Sequence, residues 1–360
     1  MSRAVVHIGA GKTGTTALQY WLTHNARRLD QLGFAYPDLP GASTRRDCIN
    51  HNRLGYEILE PGMTRAKRAA ATALRRLAGE RDVTILSGEV LYARPYQADL
   101  AGPDAYLALK RASIERMMEL LRPFERVEVV CYLRRHDRWF ESLYNQLLKS
   151  GRAGAGTFDE FAAAYGRCHY QPQFDLWSQV VGQGQVTVRP YEQAQRREGC
   201  LFGDFARVLC LTESLPEPAR SRRSVNPSLG RDFVEFARLA RCLPLDRRSR
   251  ARLRTGLAEV SARHLAAHPE PKSWSLFLSY DARVRLLDGF AADDAEVSRK
   301  YLSPEFDQLW DPPRPDENRG YPGLGAERAF EIAAQLIEYN RALGSPLRRR
   351  LRKLAGALRP

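Results

Sequence analysis

Apolar residues are gathered into five short runs, at 4–8, 33–37, 83–87, 127–133 and 186–189, with longer stretches of mixed character between them. Runs of four to seven apolar residues bounded by glycine, proline or charge predict buried strands. The intervening stretches repeat apolar residues every three or four positions. They predict helices after residue 14 and over 65–79, 105–122, 137–150, 158–165, 173–181 and 199–210. Residues 38–64 lack a clean period and carry the polar cluster Asn50-His51-Asn52, which fits a loop or short helix. Strands alternating with helices predict a parallel sheet covered on both faces, with any ligand at the carboxyl ends of the strands. From 213 onward no further strand pattern occurs. Helical patterns follow at 228–242, 247–267, 281–288, 294–302 and 325–343, interrupted by a proline-rich stretch at 303–325. The expected architecture is α/β, a P-loop-type parallel sheet flanked by helices with a largely helical C-terminal portion. It divides as one domain over 1–345, with an α/β core at 1–212, a helical lid or acceptor portion at 213–345, and a basic tail at 346–360.

The first strand opens the most informative segment. After residue 8 the chain turns through Gly9, Gly11 and Gly14, carries Lys12, Thr13, Thr15 and Thr16, and enters a helix. A glycine-rich turn between strand and helix aims backbone N–H groups at one point beside the positive end of the helix dipole. Lys12 adds a mobile charge and the threonines add hydroxyl donors, so the loop is built to hold a phosphate. The nucleoside-triphosphate spacing G-x-x-x-x-G-K-[ST] fails, because Val6 stands where its first glycine belongs. The dinucleotide pattern G-x-G-x-x-G matches Gly9, Gly11 and Gly14 by letter, but Lys12 crowds a turn meant for close approach to a pyrophosphate.

Other chemistry-bearing residues follow strand ends in the same way: Glu89 after the third run, Arg134 after the fourth, Tyr191 after the fifth. Arg134 and Ser142 lie eight residues apart, a spacing that puts a strand-end guanidinium and a hydroxyl two helical turns on along one side. Such a pair can grip a second phosphate. Singly, Arg134 reads as a surface ion-pair residue and Ser142 as a small helix residue. Arg135 and Arg138 read as surface charge, and His7 as a core side chain.

Composition narrows the class. With 44% hydrophobic and 27% charged residues, the 360-residue chain is an ordinary globular one. It shows no run long enough for a membrane span and no secretory leader pattern, so a cytoplasmic location is expected. Six cysteines without a C-x-x-C pair argue against a zinc site or a disulfide framework and fit a reducing compartment. The net charge of +14 is concentrated: residues 219–254 hold eleven arginines against three acids, and 341–360 hold seven basic residues and no acid. Concentrated positive charge suits a polyanionic partner, although a solvated arginine-rich surface explains 243–254 equally well. The tail SPLRRRLRKLAGALRP sets Leu347, Leu351, Leu354 and Leu358 at helical spacing. It fits a weak contact with an anionic membrane surface, peripheral at the inner face, or a solvated end. No aromatic–basic interleaving suggests nucleic acid.

The segments HIGAGKTGTTALQ, at 7–19, and VVCYLRRHDRWFESLYNQ, at 129–146, resemble the two phosphate motifs of sulfotransferases that use 3′-phosphoadenosine 5′-phosphosulfate (PAPS). RPYEQ at 189–193 and CLFGDFARVLCL at 200–211 extend the likeness to most of residues 1–230, toward a bacterial, carbohydrate-sulfotransferase-like member. The resemblance implies transfer of a sulfuryl group from PAPS to a hydroxyl of a carbohydrate, glycolipid or small molecule, without a metal. It implies donor contacts from Gly11, Lys12, Thr13, Gly14, Thr15, Thr16, Arg134, Ser142 and Tyr191. A late basic loop carrying Arg222, Arg223 and Asn226 corresponds loosely to one that covers the nucleotide. SGEVLY at 87–92 is similar to the strand end whose glutamate takes the acceptor proton, with Val90 in place of the usual lysine. That makes Glu89 the expected base, with His51 second because a histidine serves in other branches. The competing class is a P-loop kinase or NTPase, which needs an acid at a neighbouring strand end for Mg²⁺ where this chain has Arg134.

Overall fold

All five apolar runs form strands, and they pair into one sheet. The computed structural model describes residues 2–39, 43–45, 48–94, 103–151, 156–165, 169–217, 228–269, 277–315 and 321–342. In chain order the elements begin with β1 (Arg3–His7), α1 (Thr15–His24), α2 (Ala26–Gln31), β2 (Phe34–Ala35), β3 (Ser43–Arg45) and β4 (Cys48–Asn50). Then come α3 (Asn52–Glu57), α4 (Arg65–Glu80), β5 (Val83–Ser87), α5 (Glu89–Ala93), α6 (Pro103–Leu121) and β6 (Arg126–Leu133). Next are α7 (His136–Ser150), α8 (Phe158–Tyr165), α9 (Gln171–Val181), β7 (Val186–Pro190), α10 (Tyr191–Arg197) and α11 (Leu201–Val208). The last are α12 (Arg231–Leu239), α13 (Arg247–Ala267), α14 (Tyr280–Asp288), α15 (Ala291–Tyr301) and α16 (Ala326–Ala342). Among the described residues no helix is long and apolar enough to cross a membrane.

The main sheet is parallel throughout, in the order β2-β5-β1-β6-β7, and is flanked by helices. Its central strands are buried almost end to end because helices cover both faces. Alternation sends Ala4, Val6, Ile8, Val129 and Leu133 into one apolar layer with α4, α6 and α9. Val5, Ile85, Val130 and Tyr132 pack on the other side against α1 and α11. The aperiodic stretch after β2 folds back onto α1 as a hairpin, β3 antiparallel to β4. It is held there by the Ile49 N–H donating to Thr23 Oγ1 (2.8 Å) and by Tyr36 OH donating to the Ile49 carbonyl (2.7 Å).

The chain divides into two compact units. One unit comprises Met1–Arg135, His169–Arg223 and Phe290–Asp311; the other comprises His136–Cys168, Ser224–Gly289 and Pro312–Pro360. The first holds the sheet. Its deepest polar feature is Arg189 at the end of β7, which grips Asp204 of α11 with two parallel bonds of 2.7 Å. Arg189 also donates to Ser303 Oγ (2.8 Å) and Glu305 Oε2 (2.6 Å), and Tyr132 OH donates to Asp204 Oδ1 (2.6 Å). Arg135, expected as surface charge, is buried and donates to the Asp311 carbonyl at 2.7 Å.

The second unit is helical. Gly256 lets α13 approach α16 closely, since a methyl there would lie 3.1 Å from Leu336 and 3.3 Å from Tyr339. Asn145 of α7 pairs in both directions with the Leu229 backbone, and Arg283 of α14 forms a buried ion pair with Asp137 at 2.9 Å.

Removing one partner of a buried charge pair strands the other. Asp204→Ala should therefore lower unfolding stability by about 3–5 kcal/mol, read from urea denaturation, with the loss shared by any Arg189 variant rather than added to it.

Candidate functional site

The site is built at the carboxyl edge of the sheet by the staggered ends of β5, β1 and β6. His7 lies opposite Ser87 and Val130 in register, so β6 continues beyond β1 on one flank. The Gly88 N–H donates to the His7 carbonyl (3.1 Å), which carries the β5 end alongside the loop that leaves β1. That loop occupies residues 9–14. Lys12 has φ 71° and Gly14 φ 75°, so the chain visits the left-handed region twice around Thr13. For lysine that conformation costs on the order of 1 kcal/mol, a strain that this loop carries at its one basic residue. Thr13 Oγ1 donates to the Ala10 carbonyl (2.5 Å) and closes the turn.

Gly14 is the N-cap of α1 and supplies no side-chain acceptor, while Thr16 and Ala17 are exposed at the first turn. The opening amides of α1 thus have no side-chain cap, with the dipole behind them. Thr15 Oγ1 is buried, lies against Gly9, and has no hydrogen-bond partner.

Three groups close around the loop. Glu89, first residue of α5, has Oε1 2.9 Å from where a methyl on Gly11 would stand. Its carboxyl pKa is raised by burial, against the opposing pull of the Lys12 ammonium. Arg134, just past β6, donates from Nη1 to the Lys12 carbonyl (3.3 Å) and from Nε to Glu192 Oε1 (3.0 Å). Its guanidinium lies 5.7 Å from the centre of the Tyr191 ring. Tyr191, at the start of α10, comes within 3.1 Å of a methyl placed on Gly14, and burial raises its phenol pKa. Gly11, Lys12, Thr13, Gly14, Glu89, Arg134 and Tyr191 therefore form one contiguous group, with Thr15 and Thr16 at its helix end. Ser142 falls on α7 in the second unit, half-buried. Arg222, Arg223, Asn226 and the tail from 346 lie outside the described residues.

His51 is fully buried at the N-cap of α3, and both of its ring nitrogens are engaged by backbone. Nε2 donates to the Pro37 carbonyl (3.0 Å), and Nδ1 accepts from the Ser87 N–H (3.0 Å). Burial holds its pKa down at about 4. That arrangement suits a positioning residue for the β5 end better than a proton acceptor. Asn52, read in the sequence only as part of a polar cluster, has its Oδ1 accepting from the Val90 N–H (3.2 Å) and fixes the first turn that carries Glu89. Gln19 and Ser87 were missed. Gln19 Nε2 donates to the Ser87 carbonyl and Oγ, each at 3.3 Å, and Ser87 Oγ meets His7 Nδ1 at 2.9 Å. The available signal was a polar residue, Ser87, closing a fully buried strand. Lys110, also missed, is buried on α6 and donates to the carbonyls of Leu91 (2.7 Å), Tyr92 (2.9 Å) and Arg94 (2.8 Å), closing the C-terminal end of α5.

Comparison with known proteins adds little to this geometry. No family model matches the chain, and no solved structure matches it. Over 176 residues it is 27% identical to an uncharacterized protein of Archaeoglobus fulgidus, across 49% of this chain and 46% of that one. The chain therefore spans under half the length of that relative.

His51 and His7, whose pKa burial lowers to about 3, bind protons in the unfolded chain near pH 6.5 but not in the folded one. Stability should be full above about pH 6.5 and fall as the pH drops toward 4, by on the order of 3 kcal/mol for His51 alone. Urea midpoints across that window should show a shallower fall for His51→Gln.

Proposed function

We propose that the protein is a PAPS-dependent sulfotransferase with a P-loop-type donor site at residues 9–16, moving a sulfuryl group to a hydroxyl of a carbohydrate, glycolipid or small molecule. The observation that carries the reading is the convergence on one strand-edge loop of an uncapped helix start, Lys12, Arg134 and Glu89. The first three are anion-holding features, and the fourth is a proton acceptor pressed against the same backbone. A donor bearing a 5′-phosphosulfate fits the loop because the first amides of α1, the exposed Thr16 and the unpartnered Thr15 hydroxyl offer hydrogen bonds to oxygen anions. Arg134 is the candidate for the 3′-phosphate, and the resemblance implies Ser142 as a second contact. Glu192 competes for the Arg134 guanidinium while no phosphate is bound.

In the reaction the sulfur–oxygen bond to the 5′-phosphate breaks and a new one forms to the acceptor oxygen. Glu89 takes the acceptor's proton, a role favoured by the burial that raises its pKa. Lys12 and the loop amides meet the charge that develops on the departing phosphate oxygen.

Calorimetric titration with adenosine 3′,5′-bisphosphate, without magnesium and with ATP and NAD in parallel, tests the donor site. Selective binding should be abolished in Lys12→Ala and weakened roughly tenfold or more in Arg134→Ala, which loses a charge-assisted contact. Preference for Mg²⁺-ATP would return the chain to the kinase class, and no nucleotide binding would end the reading. Once an acceptor is in hand, Glu89→Gln should lower kcat by about 10²–10⁴-fold while leaving bisphosphate affinity within about threefold.

A further inference from the structure

Of the eleven arginines between 219 and 254, several described ones in the second unit are unexplained by the donor site, and they differ in setting. Arg247 and Arg248 are exposed on the first turn of α13 and read as solvated charge. Arg241, Arg250 and Arg254 are half-buried and line the same cavity of about 60 Å³, floored by Leu148, Leu253 and Leu257. Arg250 and Arg254 stand one helical turn apart on α13, a like-charge spacing that disfavours the helix. Arg241 reaches the cavity from the short turn Ala240–Cys242 after α12. Among the described residues no ion pair joins any of the three to a carboxylate. Arg250 instead donates to the carbonyls of Leu245 (2.9 Å) and Leu243 (3.3 Å). The acids nearby are committed elsewhere: Glu235 pairs with Arg238 (2.5 Å), and Asp246 caps α13 by accepting from the Ser249 N–H (2.7 Å). Gly151 leaves room for Arg254, whose Nη1 would lie 3.1 Å from a methyl there. The Arg241 guanidinium is pushed toward its neutral form first by burial and then by Arg250 and Arg254, so the repulsion is felt where the three converge.

The guanidinium forks of Arg241 and Arg254, with the remaining Nη1 of Arg250, form a receptor for a tetrahedral oxyanion around an apolar floor. The planar donors match phosphate or sulfate oxygens in pairs, and the leucines lower the local dielectric. The cavity is far smaller than the several hundred Å³ of a drug-sized site, so it takes a head group and not a nucleotide. We infer that this cavity in the helical unit, lined by Arg241, Arg250 and Arg254 over Leu148, Leu253 and Leu257, binds a phosphate or sulfate monoester whose apolar substituent lies on the leucines. The site is independent of the donor reading, since none of its residues belongs to the loop or the sheet.

Monobutyl phosphate and inorganic phosphate serve as probes in calorimetric titrations of the full chain. The titrations run at fixed ionic strength, with adenosine 3′,5′-bisphosphate present to occupy the loop and with Lys12→Ala as a second background. Wild type should bind monobutyl phosphate more tightly than inorganic phosphate, and Arg241→Gln/Arg254→Gln should weaken it at least tenfold. Without ligand, that double variant should melt no lower than wild type, because the substitutions remove repulsion. Equal affinity in wild type and double variant, or no binding by wild type, overturns the site. Phosphatidate vesicles then identify the source: arginine-dependent capture assigns a lipid head group, and arginine-independent or absent capture assigns a soluble ester. Loss of adenosine bisphosphate binding alone leaves this comparison intact and counts only against the donor site.

Discussion

The carboxyl edge of the sheet depends on one buried hydrogen-bonded knot around Ser87. Its hydroxyl faces His7 on the neighbouring strand and Gln19 on α1, its N–H reaches His51, and its carbonyl accepts from Gln19. Four segments distant in sequence are thereby locked at the point where β5 gives way to Glu89. Buried polar groups in a low-dielectric interior are costly unless satisfied, and a satisfied set is correspondingly specific in geometry. The knot therefore does what an all-apolar strand end could not: it fixes the height and rotation at which the next residue leaves the sheet. The Asn52 contact to Val90 and the Lys110 contacts to the end of α5 continue that constraint through the whole turn carrying the carboxylate.

Arg134 plays the corresponding part on the opposite flank. It spans from the end of β6 to the Lys12 carbonyl and to Glu192, with Tyr191 beneath it. A phosphate arriving there would exchange one partly solvated ion pair for a better-matched one, since Glu192 is itself substantially exposed. The Lys12–Glu89 relation is similar in kind. The ammonium pulls the carboxyl toward ionisation while burial opposes it, so the proton affinity of Glu89 depends on where the lysine is. A bound anion that draws Lys12 toward itself would weaken that pull and raise the basicity of the carboxylate.

Much of this was legible in the chain because the strong signals are local. β1, β5, β6 and β7 are nearly continuous apolar runs, which only a doubly covered parallel sheet produces, and α8 and α13 follow their apolar periods to the residue. Glu89, Arg134 and Tyr191 could be grouped because parallel strands deliver their ends to one edge. The hairpin of β3 and β4 could not be read, since it is short, has no alternation to speak of, and is held by Thr23 of α1 and by Tyr36 after β2 rather than by its own pattern. The roles of Gln19, Asn52 and Lys110 depend on partners brought close only by the fold. The division at Arg135 was equally hidden: β6 and α7 read as one strand–helix unit, yet contacts assign them to different bodies.

Gly11 gives this site a further property. Glu89 Oε1 lies 2.9 Å from where a side chain would begin, closer than a real side chain tolerates. Position 11 is therefore a gauge of the whole edge: any side chain there, however small, displaces the carboxyl group before it touches anything else. A change at position 11 therefore acts first on Glu89, although seventy-odd residues of chain separate the two.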